Sequence, residues 1–160
     1  MLSYYFNVNM TTRYFIGIDP DSDKSGIGIW DSWTKKFLKV ESMDFWDLAD
    51  FLYDFIFKEK NLEDFGVFVV VEAGWLVAKA NFHVKSGALR REKQAMNIGQ
   101  NLQTGKLIER FLIRNNVPYR LTEPLGTKGF DQDRFKKFTG WQETTNQDNR
   151  DAALLVFQMS

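Results

Sequence analysis

Apolar residues recur along this chain with two different periods. The run Tyr14, Phe15, Ile16, Gly17, Ile18 is rich in β-branched and aromatic side chains and too short for a helix, so it predicts a buried strand ending on Asp19. Pro20 cannot donate to a sheet ladder, and Asp21, Ser22, Asp23 and Ser25 supply turn chemistry before Gly26, Ile27, Gly28, Ile29 and Trp30 resume as a second strand. The pair reads as a hairpin whose first strand delivers a carboxylate to its own C-terminal end. Residues 35–43 predict a third antiparallel strand with charged edges.

From residue 44 the period changes. Phe45, Leu48, Ala49, Leu52, Phe55 and Ile56 recur at helical spacing over residues 44–57, and Asp44, Asp47, Asp50 and Asp54 take the opposite, solvated face. Residues 67–72, VFVVVE, are the most apolar run of all. Their lack of alternation predicts a central strand covered on both faces, and it too ends on a carboxylate, Glu72. Strand, helix and buried strand read as a crossover unit, which sets this strand parallel to the first. If the two are neighbours, Asp19 and Glu72 emerge side by side at the carboxyl edge of the sheet, where open α/β sheets hold their ligands.

Residues 74–86 read as irregular and partly basic. Residues 89–115 predict a long helix, broken or continuous, with Ala95, Ile98, Leu102, Ile108, Phe111 and Leu112 near one face. Gly99 and Gly105 inside it cost about 1 kcal/mol each relative to alanine, which implies close approach of another backbone. Packing against the sheet is the favoured reading; contact with a partner subunit or a nucleic-acid backbone is the other. Residues 117–121 predict a short edge strand because of Pro118, residues 123–129 a loop carrying Lys128, and residues 130–138 a short basic helix. The last helix spans residues 147–158, with Thr144 or Thr145 as its cap. Residues 1–12 read as a loose leader and residues 13–160 as a single domain.

Composition narrows the chemistry. The chain has 160 residues, enough for one domain to bury about 70% of its unfolded surface. It has no cysteine and a single histidine, His83, which removes thiol catalysis, thiolate metal sites and any site built from several imidazoles. No apolar run is long enough to span a membrane and no signal peptide is visible, so a soluble, cytoplasmic protein is expected. Lysine and arginine together number 21, as do aspartate and glutamate, so global charge announces no partner. Locally, Lys79, Lys85, Arg90, Arg91 and Lys93 stand against the lone anion Glu92. Such a run is either a solvated face or a set of phosphate contacts.

Carboxylates carry the remaining signal. Asp148 and Asp151 stand three apart and share one face of the first turn of the last helix. Acidic residues favour helix N-termini on their own account, so the pair alone says little. Together with the strand-terminal Asp19 and Glu72, it makes a constellation of four oxygen ligands suited to magnesium or manganese. Two such ions would polarise an attacking water and stabilise the leaving oxygen of a phosphodiester. Four acids crowded together without a cation would repel one another and raise at least one pKa.

In that order along the chain, GIDPDSDKSGIGIW, VVVEAGW, MNIGQNLQTGKLIERF and QDNRDAALL resemble the RuvC-type Holliday junction resolvases of the ribonuclease H superfamily. The resemblance implies an α/β fold with a ribonuclease H-like mixed five-stranded sheet, three antiparallel strands then parallel ones, flanked by helices. It implies a homodimeric endodeoxyribonuclease that cuts four-way or other branched DNA using two divalent metals, Mg2+ or Mn2+ in its place. By position, Asp19, Glu72, Asp148 and Asp151 would be the metal ligands and catalytic acids. Trp75 would stack near the junction centre, or else be a core tryptophan at a strand end. Lys79, Lys85, Arg90, Arg91, Lys93 and Lys128 would contact DNA phosphates, and His83 is assigned no role. Two other functions compete. One is a branched nucleic-acid-binding protein of the same fold without efficient cleavage. The other is an actin-like or sugar-kinase-like phosphotransferase, which needs two lobes and a second phosphate loop that 160 residues do not accommodate.

Overall fold

The computed structural model describes residues 12–77, 88–126 and 130–160. Five strands form one sheet: β1 (Tyr14–Asp19), β2 (Ser25–Asp31), β3 (Lys36–Met43), β4 (Val67–Glu72) and β5 (Tyr119–Thr122), in the spatial order β3-β2-β1-β4-β5. β1 pairs antiparallel with β2, and β2 with β3. β1 pairs parallel with β4, and β4 with β5, so β5 is the edge strand that Pro118 implied.

The register fixes the geometry of interest. Ile18 lies opposite Val71, and the next residue on each strand is a carboxylate, Asp19 and Glu72. Adjacency of the two strands, on which the sequence argument hung, is therefore met.

Both faces of the sheet are covered. On one, Ile16, Ile18, Val69 and Val71 pack with Leu48 and Leu52 of α1 (Phe45–Tyr53) and with Ile108 and Leu112 of α3 (Ala88–Arg114). On the other, Phe15, Trp30 and Val70 pack with Phe135 of α4 (Gln132–Thr139) and Ala153 of α5 (Gln147–Leu154). The uninterrupted valines of β4 thus serve two cores alternately, because successive strand side chains point to opposite faces. Each such aliphatic side chain contributes about 1.5–3 kcal/mol by leaving water.

Several local expectations are corrected. The helix from residue 45 does not continue regularly to residue 57: after Tyr53 it widens into a π turn, Asp54–Lys58, closed by Glu59 N–H donating to the Asp54 carbonyl at 3.0 Å. That extra residue per turn keeps both Phe55 and Ile56 buried. Lys60, with φ of 55°, turns the chain into the short α2 (Asn61–Asp64). The aspartates of this segment are outward, as expected; Asp44 caps α1 and Asp54 pairs with Lys58 at 2.7 Å. Helix α3 is continuous; among its described side chains the first buried one is Thr104, and Ala95, assigned to its apolar face, is exposed. Helix α5 is capped by Asn146, whose side chain accepts from Asn149 N–H at 2.9 Å, rather than by either threonine. It ends at Leu154, four residues before the predicted end at 158.

Among the described residues no helix is long and apolar enough to cross a membrane.

Candidate active site: carboxylates at the sheet edge

Asp19 ends β1, Glu72 ends β4, and Asp148 and Asp151 occupy the first turns of α5. What brings the helix to the strands is the absence of side chains on the sheet. A β-carbon at Gly26 would overlap the backbone of Asp148, and one at Gly17 or Gly28 would overlap the backbone of Ala152 or Ala153. The alternating glycines of the hairpin thus let α5 lie directly on β1 and β2. This contact sets the helix-borne acids beside the strand-borne ones.

All four carboxylates are partly buried, and their charges act on one another. Burial, reinforced by Glu72, Asp148, Asp151 and Asp21 in that order, pushes Asp19 up to about 8. Burial and the charges of Asp151 and Asp148 push Glu72 up to about 7. Asp148 is raised by burial, then by Asp21 and Asp151, with Arg150 opposing.

Asp21 is a fifth acid that the sequence reading left as turn chemistry. Its Oδ2 accepts from Asn101 Nδ2 of α3 at 3.0 Å and its Oδ1 from Asp23 N–H at 2.8 Å. Asn101 Oδ1 in turn accepts from Ser22 N–H at 2.9 Å, so α3 clasps the β1–β2 turn from both sides of one amide. Ser22 and Asp23 also line, with Gln100, Gln103 and Thr104, an open groove of about 410 Å³ next to the turn.

Trp75 lies in a 3-10 turn, Gly74–Leu76, just beyond Glu72. Its ring is seated on Gly105 of α3, where a β-carbon would overlap it, and that same β-carbon would touch Pro20, the residue after Asp19. Lys106 Nζ stands 4.8 Å from the ring centroid and also pairs with Glu109 at 2.9 Å. Gly105 therefore answers to packing, against a side chain rather than a backbone, whereas Gly99 meets nothing within 4 Å among the described residues. Lys106 is a further cation at this site, isolated in sequence from the basic run.

Of the proposed DNA contacts, Lys93 is exposed on α3, and Arg90 and Arg91 lie in its first turn. Lys79, Lys85 and Lys128, and likewise His83, lie outside the described residues.

The donor set is oxygen only, the chemistry that hard divalent cations take. A cation would offset both the burial of the charged forms of Asp19 and Glu72 and the repulsion that adds to it. The carboxylates do not, however, form a closed coordination group: among the described residues no three His, Asp or Glu side chains are arranged to hold a metal ion. Donor chemistry and electrostatics fit a cation; the side-chain arrangement is not drawn together around one.

A mixed five-stranded sheet in this order, flanked by helices, defines a ribonuclease H-like fold. Within that class the chain is similar to RuvC of Thermus thermophilus. The structure of that protein in complex with a Holliday junction substrate matches with a TM-score of 0.55 at 15% identity, over 91% of this chain and 90% of that one. A second Thermus thermophilus RuvC structure matches with a TM-score of 0.50 at 12% identity, over 91% and 92%. No protein-family model matches the sequence, and no curated protein matches it.

Proposed function

We propose that this chain is a divalent-cation-dependent, structure-selective endodeoxyribonuclease that resolves four-way or other branched DNA as a homodimer in the cytoplasm. The observation that carries this reading is the convergence of Asp19, Glu72, Asp148 and Asp151 from two parallel strand ends and one helix, on a fold shared with RuvC over 91% of the chain. Asp19, Glu72, Asp148 and Asp151 would together hold the two Mg2+ or Mn2+ ions. When bound, the ions supply a polarised water and stabilise the leaving oxygen of the phosphodiester.

The protein's own contribution is to hold these acids in register and, at neutral pH, to give up the protons that Asp19 and Glu72 retain without a cation. Trp75, the cations Lys79, Lys85, Arg90, Arg91, Lys93 and Lys128, and Lys106 beside Trp75 would face the DNA. Phosphate contacts of this kind position a substrate without reading its sequence.

A second reading is supported by one observation, the open arrangement of the carboxylates. It is a branched nucleic-acid-binding protein without efficient cleavage. A cleavage assay with Mg2+ or Mn2+ on a four-way junction, a flap and plain duplex separates the two. Paired, symmetrical nicks in the junction alone support the resolvase; cleavage of flaps as well widens the substrate class; tight junction binding with no cleavage supports the second reading.

A further inference from the structure

The N-terminal turn of α5 holds a hydrogen-bonded chain that ends on one of the four acids. Gln147 Nε2 donates to Asp151 Oδ1 at 2.7 Å, across the i,i+4 spacing that lets a glutamine reach an aspartate on a helix surface. Gln147 Oε1 accepts from Arg150 Nη2 at 3.1 Å. Arg150 is itself fixed at three points: its Nε donates to the Phe130 carbonyl at 2.9 Å, and its Nη1 to the Thr145 carbonyl at 2.9 Å and the Thr145 hydroxyl at 3.2 Å. Thr145 is held in turn by Gln132 of α4, whose Oε1 accepts from the Thr145 N–H at 2.7 Å and from its hydroxyl.

The polarity of this chain is determined by chemistry. A guanidinium has five N–H donors and no acceptor, so the Gln147 atom facing Arg150 must be the carbonyl oxygen. The amide nitrogen then faces Asp151 and can only donate. An arginine at position 150 thereby dictates the orientation of an amide at position 147, and the amide in turn engages Asp151 through Oδ1.

We infer that Gln147 is a positioning residue for the carboxylate site, holding Asp151 by one oxygen, and that Arg150 orients Gln147 by anchoring it to the segment between α4 and α5. The inference rests on the proposed cation-dependent activity and adds to it the support of one ligand. Partners of this outer kind typically govern metal affinity or activity by about 10–100-fold, because they fix the ligand's orientation before the ion arrives.

Two substitutions isolate the role. Gln147→Met keeps the length and removes the donor. Gln147→Glu keeps the length and the Arg150 contact and puts a carboxylate in the first turn of a helix, where the dipole favours it, while presenting no donor to Asp151. Gln147→Met should melt close to the wild type without metal, so that a merely structural role would leave no mark, whereas Gln147→Glu, which sets a second carboxylate against Asp151, should melt lower. For Gln147→Met the expected result is a Mn2+ affinity, read by calorimetric titration, lowered by about 10–100-fold, with a matching fall in kcat on a four-way junction and little change in KM for the DNA. Gln147→Glu should show the same fall in kcat. Unchanged Mn2+ affinity and unchanged kcat in folded Gln147→Met would overturn the inference. A wild type that binds Mn2+ but does not cleave, with binding still weakened by Gln147→Met, would uphold the positioning role and remove the nuclease reading. A wild type that neither binds nor cleaves overturns both.

Discussion

The indole of Trp75 rests on Gly105 with no room for a side chain between them, and Pro20 meets the same spot from the strand that carries Asp19. Helix α3, the turn after β4 and the end of β1 are thereby locked at a single point beside the carboxylates. Gly26 makes a second close contact, but against the backbone of Asp148. The two glycines should respond differently to alanine. At position 105 the obstacle is the far edge of one half-buried ring, which can swing away, and alanine recovers about 1 kcal/mol of helix propensity. At position 26 the obstacle is main chain. We expect Gly105→Ala to change stability by about 1 kcal/mol or less, with a shift in tryptophan fluorescence, and Gly26→Ala to cost about 3 kcal/mol in urea unfolding through overpacking.

Burial of the acids, reinforced by their mutual repulsion, should make the metal-free protein pH-sensitive. Asp19, raised to about 8, and Glu72, raised to about 7, hold protons in the folded state that the unfolded chain has already released above about pH 4. The folded state therefore binds more protons through the window from about 4 to about 8, and stability must fall as pH rises across it. Asp19→Asn removes the most affected group without opening a cavity. At pH 8 without divalent cations it should raise stability by about 2 kcal/mol, near 5 °C in Tm for a chain of this size. The difference should shrink at pH 5, where wild-type Asp19 is protonated. Equal melting curves at both pH values would show that the acids do not burden the fold.

The far end of β1 and β2 carries the opposite electrostatic arrangement. Arg13 donates from Nε and Nη2 to the two oxygens of Asp31 at 3.1 and 2.9 Å, and Asp31 is only 1% exposed. Burial pushes Asp31 up, but the hydrogen bonds from Arg13 and from the Trp33 and Thr34 N–H groups outweigh it and hold the carboxyl below its ordinary range. A lowered carboxyl contributes stability that is present above about pH 4 and lost as pH falls through its folded value. Arg13→Met should therefore lower Tm at pH 7 by several degrees, and the gap to wild type should narrow in acid as Asp31 takes up its proton. A gap that stays constant from pH 7 to pH 3 would assign the loss to the rings of Tyr14, Trp33 and Phe65 that Arg13 also covers.

How far this was legible in the sequence depends on the range of each interaction. Asp19 and Glu72 were readable because each closes a short apolar run, and the crossover logic that set the two strands parallel follows from chain connectivity. Asp148 and Asp151 were readable as a pair by spacing, yet their approach to the strands depends on Gly17, Gly26 and Gly28, whose role emerges only when α5 is seen lying on the sheet. The cap at Asn146 was misassigned to Thr144 or Thr145 because all three residue types cap helices, and it is the contact with Gln132 that engages Thr145 elsewhere. Gln147 carried a usable signal, its i,i+4 relation to Asp151, which the more conspicuous pair of acids obscured. Asn101, Lys106 and Asp21 gave none, since Asp21 meets Asn101, and Lys106 meets Trp75, across the fold.

Four carboxylates from three elements should act as one divalent-cation centre. Calorimetric titration of Mn2+ into the metal-free protein and into Asp19→Asn tests this most directly, with circular dichroism to confirm that both are folded. The account predicts saturable binding by the wild type, tighter at pH 8 than at pH 6 because bound protons must leave, and loss of that binding in Asp19→Asn. Equal binding by the two proteins, or none by the wild type at millimolar Mn2+, would contradict it.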